Sequence, residues 1–162
     1  MDFSLMAITF VATLGLGIEE GILVGVVASL IVVVQQSYRP HTASLGQLPN
    51  TNTYRNLKRF PDAIKQPGLL VFRLDASLYF ANIEHLKDEL HHALASEPEL
   101  TRIVLDFYPV NRIDSSAIHG LNDIVKALSE RGIRLAVAGV KGPVRDSMDR
   151  GGLVARIGAE NF

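Results

Sequence analysis

No lysine or arginine precedes Arg39, and residues 1–36 carry only Asp2, Glu19 and Glu20 as charges; all sixteen basic residues and the other fourteen acids follow. A chain divided this sharply cannot fold as one evenly solvated globule. The head is compatible with lipid, and the body, mixed in sign and near neutral, is compatible with water. We therefore divide the chain into membrane-spanning helical segment(s) over 1–36, a linker over 37–53 and a soluble domain over 54–162.

Within the head, Phe3 to Ile18 and Gly21 to Val34 are apolar runs separated by Glu19–Glu20. A bilayer core of about 30 Å needs about 20 helical residues, whereas each run reaches only about 20 to 25 Å at about 1.5 Å per residue. Either one helix carries both carboxylates through the membrane, or two short helices form a tight hairpin with the Glu pair at its tip. Burying adjacent carboxylates at mid-bilayer costs several kcal/mol, which favours the hairpin. Thr13, Gly17, Gly21, Gly25 and Ser29 recur at every fourth position, the spacing that lets membrane helices approach backbone to backbone. These small residues need a partner helix; the alternative, an anion path lined by them, finds no Lys or Arg in the head to bind an anion. Arg39, Arg55, Lys58 and Arg59 follow the second run, so the positive-inside rule places the body in the cytoplasm. The N-terminus lacks the basic region and small-residue cleavage site of a secretory signal.

The linker holds Pro40, Gly46 and Pro49 among turn formers, without sustained periodicity. Beyond it, Leu69 to Leu74 reads as a strand and Ser77 to Phe80 as a second short one. Ile83, Leu86, Leu90 and Leu94 mark one face of a helix after an Asn82 cap, with Pro98 as its stop. Ile103 to Phe107 has the pattern of a strand buried on both faces. Ile118, Leu121, Val125 and Leu128 mark another helix, ended by Gly132. Leu135 to Val140 is the last clear strand, and Gly142–Pro143 opens a further helix. This alternation predicts an α/β layer: a mixed, mainly parallel sheet flanked by helices.

Two motifs about thirty residues apart are more specific than the alternation: Leu78-Tyr79-Phe80-Ala81-Asn82, and Ile113-Asp114-Ser115-Ser116. With Arg73 and Asp75, Leu105–Asp106, Gly132–Ile133 and Val137-Ala138-Gly139, they resemble the STAS domain of sulfate transporters and anti-sigma-factor antagonists. Ala117 departs from the glycine common in that family. Together with the apolar head, the pattern resembles the last membrane segments and STAS domain of a sulfate permease (SulP) transporter. The resemblance implies a C-terminal fragment of a longer multi-pass protein of the cell (inner) membrane, ending its membrane part in a closely paired helix couple. It implies a regulatory and assembly role, with lipid, the transporter's own membrane body and a second protomer as partners. It also allows a rival: a stand-alone, membrane-tethered module that binds a protein partner or kinase as a switch.

The chemistry legible in the residues is sparse. Asp114, Ser115 and Ser116 fall at a predicted helix N-terminus, where free amides favour negative charge. They are either a structural cap or, as in the soluble antagonists that the motif resembles, the site of a serine phosphorylation switch. Asp106 either orients that turn or organises its own loop. The two carboxylates lack an accompanying nucleophile or metal ligand, so we expect no enzyme activity. With no cysteine, disulfides, thiolate metal sites and a Cys nucleophile are excluded. His85, His91 and His92 lack the spacing of three or four residues that helical metal pairs prefer, so no metal is expected. Gly139-Val140-Lys141-Gly142-Pro143 could touch a phosphate but lacks the long glycine loop with Lys-Ser/Thr; no cofactor is expected. No basic stretch interleaves with aromatics, which sets nucleic acid aside.

Overall fold

The computed structural model describes residues 2–162; Met1, counted with the apolar head, lies outside them. The chain forms two compact units, one reaching to Arg39 and one spanning Pro40–Phe162.

In the first unit, helices α1 (Asp2–Leu16) and α2 (Ile18–Tyr38) are separated by Gly17 alone. Its φ of 114° lies in the region that side-chain-bearing residues avoid, so the reversal needs a glycine there. Glu19 and Glu20 occupy the first turn of α2 beside that reversal, where unpaired amides favour carboxylates. The helices run antiparallel and very close. A Cβ on Gly21 would lie 2.2 Å from Thr13 Oγ1, and one on Gly25 would lie 2.9 Å from Thr9 Oγ1. The two threonine hydroxyls stay satisfied inside α1, Thr9 donating to the Leu5 carbonyl at 2.9 Å and Thr13 to the Thr9 carbonyl at 2.8 Å. The small-residue series thus crosses from one helix to the other, with Gly17 as the turn. Phe3, Phe10, Leu14, Leu23 and Leu30 all stand more than half exposed around this seam. Helix α2 is long and apolar enough to cross a membrane; the apolar stretch of α1, Phe3–Leu16, is shorter.

The second unit is built on a five-stranded sheet in the order β2-β1-β3-β4-β5. The strands are β1 (Thr42–Gln47), β2 (Tyr54–Asn56), β3 (Leu69–Leu74), β4 (Arg102–Asp106) and β5 (Arg134–Ala138). β3, β4 and β5 are parallel, while β1 runs antiparallel to both of its neighbours. The sheet therefore reaches into the segment read as a linker. Thr42–Gln47 has only Ala43 and Leu45 to bury, alternating with polar residues, and its strand conformation is fixed by pairing with β3. The strand expected over Ser77 to Phe80 is instead a loop outside the five-stranded sheet, joined to the segment that follows β4 through one isolated parallel bridge, Leu78 to Ile113.

Helices α3 (Ile83–Ser96), α4 (Ser115–Glu130), α5 (Gly142–Arg150) and α6 (Leu153–Ile157), with a short 3-10 turn over Ala159–Asn161, complete the unit. The core forms on one face of the sheet. Leu70, Phe72 and Leu74 of β3, Ile103 and Leu105 of β4, and Leu135 and Val137 of β5 join Leu86, Leu121, Met148 and Leu153 from the helices in one buried cluster. Each such side chain contributes about 1.5–3 kcal/mol by leaving water. Helix α4 approaches α3 closely at Gly120, where a Cβ would meet Ile83 Cγ1 at 2.3 Å. The opposite face holds only a small cluster of Ala43, Leu45 and Val71 flanked by partly buried Leu69 and Val104. Hence β4 is fully buried on one face rather than on two: Ile103 and Leu105 are covered, Val104 and Asp106 only partly, and Arg102 is exposed.

Candidate functional site

Because β3, β4 and β5 are parallel, the loops that follow them gather at one end of the sheet, the end where α/β layers commonly present their sites. Both signature motifs lie there. Leu78 donates its amide to the Arg112 carbonyl at 3.0 Å and accepts from the Asp114 amide at 3.2 Å, locking the two loops together. Asp114 is the N-cap of α4: Oδ1 accepts from the Ala117 amide at 2.8 Å, while Oδ2 accepts from the Phe80 amide at 3.0 Å. One carboxylate therefore starts a helix and holds the neighbouring loop. Ser115 and Ser116 are the first two residues of α4, and both are exposed.

Asn82 departs from its expected part. It precedes α3 but makes no side-chain cap. It is fully buried, accepting from the Tyr79 amide at 3.0 Å and donating to the Ser77 carbonyl at 2.8 Å, so it shapes the loop that carries Phe80. Burial is tolerated because its amide group is hydrogen-bonded at both ends. Asp106 organises its own loop, accepting from the Tyr108 amide at 3.0 Å. The resulting turn buries Phe107 and leaves Tyr108 74% exposed. Lys141 Nζ stands 5.7 Å from the Tyr108 ring centroid and donates to Asn111 Oδ1. Phe80, 65% exposed, meets Tyr79 edge to face at 5.9 Å between centroids. Phe80 and Tyr108 thus stand exposed at the carboxyl end of the sheet beside Lys141 and the two serines, and exposed aromatics are the residues enriched where proteins contact one another.

Arg73 and Asp75, quoted in the sequence signature, lie at the end of β3. Asp75 accepts from Arg73 Nε at 2.6 Å and lies 2.8 Å from His41 Nδ1, while its amide donates to the His41 carbonyl at 2.9 Å. The pair clasps the beginning of β1, and His41 carried no sequence signal beyond its position after Pro40. Lys87 joins α3 to α4 by reaching Glu84 at 2.9 Å and Asp123 at 3.3 Å. The hydrogen bond that Lys87 donates to Glu84 raises its pKa above the ordinary 10.5, partial burial opposes this, and Asp123 adds to the rise. Among the described residues, no group of three His, Cys, Asp or Glu side chains is arranged to hold a metal.

A fold with one helix-covered face, an Asp-capped serine turn and this loop pairing defines a known class. The chain belongs to the STAS domain family, which matches residues 60–161. Its homologues are sulfate transporters. It is 41% identical to the probable sulfate transporter 4.2 of Arabidopsis thaliana, over 99% of this chain and 25% of that protein. It is 39% identical to the chloroplastic sulfate transporter 4.1 of the same plant, with the same coverage. The chain thus spans about a quarter of the length of these relatives. In fold it matches the murine Solute Carrier 26 family member A9 anion transporter, with a TM-score of 0.79 at 22% identity, over 94% of this chain and 25% of that one. A sulfate transporter family protein from Wolinella succinogenes matches with a TM-score of 0.52 at 18% identity, over 66% of this chain and 85% of that one. The STAS resemblance read from the two motifs and the sulfate-transporter resemblance of the whole chain both stand.

Proposed function

We propose that this chain is the C-terminal regulatory and assembly region of a transporter for sulfate or another small anion. The hairpin sits in lipid as the last membrane segments, and the STAS domain lies on the cytoplasmic side, as the basic residues after α2 favour. The domain docks through the carboxyl end of its sheet against the transporter's membrane body or a second protomer. The observation that carries this reading is the exposed set Phe80, Tyr108, Ser115 and Ser116, held in place by buried Asn82, by Asp114 and, for Tyr108, by Asp106.

That arrangement supplies a switch. A phosphoryl group on Ser115 or Ser116 adds a charge of about −1.5 to −2 at the N-terminus of α4. The free amides there welcome it, but the Asp114 carboxylate beside it repels it and competes for the same donors. Since Asp114 Oδ2 also holds the Phe80 amide, displacing it releases the loop that presents Phe80. Charge added at the serines is thereby converted into movement of an aromatic contact. The test is to graft this region onto a sulfate permease lacking its own tail. Restored sulfate uptake supports the reading; a folded, membrane-inserted graft that restores nothing overturns it.

A further inference from the structure

The amino end of the sheet carries a different surface. Arg102 and Arg134 open β4 and β5 as register partners across the parallel ladder, and both are exposed. Like charges placed side by side on neighbouring strands are destabilising unless something negative lies between them. Neither arginine has an ion pair among the described residues. Arg134 also lines a cleft of about 570 Å³ together with Lys126 of α4 and Arg156 of α6, neither of which is ion-paired among the described residues either. Glu130 is the one carboxylate on the lining, so positive charge is in excess. The nearby carbonyls at the end of α4 are already used: Leu128 O accepts from the Arg131 and Ile133 amides, and Ser129 O from Gly132. They leave the cations to seek an acceptor elsewhere. Below the charged rim, Leu135 and Ile157 give the cleft an apolar floor.

We propose that this cleft binds a phosphate or sulfate monoester carried on a ring or other apolar body, its oxyanion held by Arg134 and Arg156 with help from Lys126. The size decides against a bare inorganic ion. The cleft falls within the range of about 300–1,000 Å³ typical of small-molecule sites, and an ion alone would leave the apolar floor uncovered. Guanidinium groups suit the task because their planar donors match phosphate and sulfate oxygens in pairs. The site lies at the end of the sheet opposite Ser115 and Ser116, so a ligand there leaves the proposed docking face free.

The experiment titrates the full chain in detergent micelles, by calorimetry, with phenyl phosphate, with inorganic sulfate and with short-chain phosphatidic acid, a lipid phosphate monoester that disperses in the micelles. Phenyl phosphate is expected to bind at millimolar concentrations, more tightly than inorganic sulfate, and to weaken about tenfold in the R134Q/R156Q double variant. K58Q, outside the cleft, should bind as the wild type does. The double variant's melting temperature should match wild type, since both substituted side chains are exposed. Phosphatidic acid binding that is lost in the same double variant, without phenyl phosphate binding, keeps the oxyanion site and assigns the monoester to a lipid headgroup. No binding of either probe, equal binding of inorganic sulfate and phenyl phosphate, or binding indifferent to R134Q/R156Q overturns the proposal.

Discussion

The hairpin and the soluble unit use apolar residues in opposite ways. In the soluble unit, Leu70, Ile103, Leu105 and Leu121 are at most 1% exposed, whereas in the hairpin Phe10, Leu14, Leu23 and Leu30 are about 60 to 74% exposed. In the hairpin it is the small residues, Gly21 against Thr13 and Gly25 against Thr9, that lie inside. The contrast is the one demanded by the proposed placement of the hairpin in lipid and of the other unit in water. Water drives large side chains into one shared core. Lipid offers no such drive between helices, so close backbone approach has to hold the pair together.

Substitutions in the two units should therefore behave as opposites. The largest effect is expected from Leu105→Ala, which removes a buried side chain from the sheet's covered face and should cost about 2–5 kcal/mol in denaturant unfolding of the soluble unit. Leu23→Ala, on the exposed surface of α2, should leave that unfolding curve in place. A comparable loss from Leu23→Ala would break the comparison. Next, Gly21→Leu should drive α1 and α2 apart, because its Cβ alone already meets Thr13. Spin labels on the two helices should report a longer and broader distance, while unfolding of the soluble unit stays unchanged.

At the carboxyl end of the sheet, Asp114→Ala removes the acceptor of two backbone amides and should cost about 1–2 kcal/mol. Asp106→Ala removes the acceptor of one and should cost less, about 0.5–1 kcal/mol. Paired denaturation curves check the order; equal costs would mean that Asp114 does not join the two loops. The smallest effect concerns Lys87. Its folded-state pKa is raised, so its contribution is fully present below the unfolded value of 10.5 and is lost as pH rises through the folded value. Lys87→Met should flatten the alkaline limb of the stability profile above about pH 10.5 and leave its neutral and acidic limbs parallel to wild type.

Much of this architecture is legible in the residues because it rests on strong periodicity. β3, α3, β4, α4 and β5 each carry enough large apolar residues to declare a period of two or of about four. The reversal in the head was legible from its cost in charge, although Gly17, not the Glu pair, makes the turn. β1 was not legible, since Ala43 and Leu45 are too weak a signal in a polar segment and only pairing with β3 makes a strand of them. The open second face of β4 was also hidden, because Val104 looks equally suited to a core or to a half-covered surface. At the candidate site, Asp114, Ser115 and Ser116 were readable as a helix start. Asn82 does occupy the N-cap position of α3, but its side chain bonds backward, and an asparagine before a helix gives the same sequence signal whether it binds forward or backward. The tie between Asp114 and Phe80 spans thirty-four residues and could be seen only in three dimensions.

The most direct measurement compares sulfate uptake by a permease whose own tail has been replaced by this region, with the serines intact and with Ser115→Asp and Ser116→Asp. Surface abundance is quantified in parallel. The proposed switch predicts that intact serines support uptake and that the aspartates change it at equal abundance, with Phe80→Ala reproducing the change. Uptake that is indifferent to all three substitutions, in a graft that is folded and at the membrane, would contradict a regulatory role for this end of the sheet.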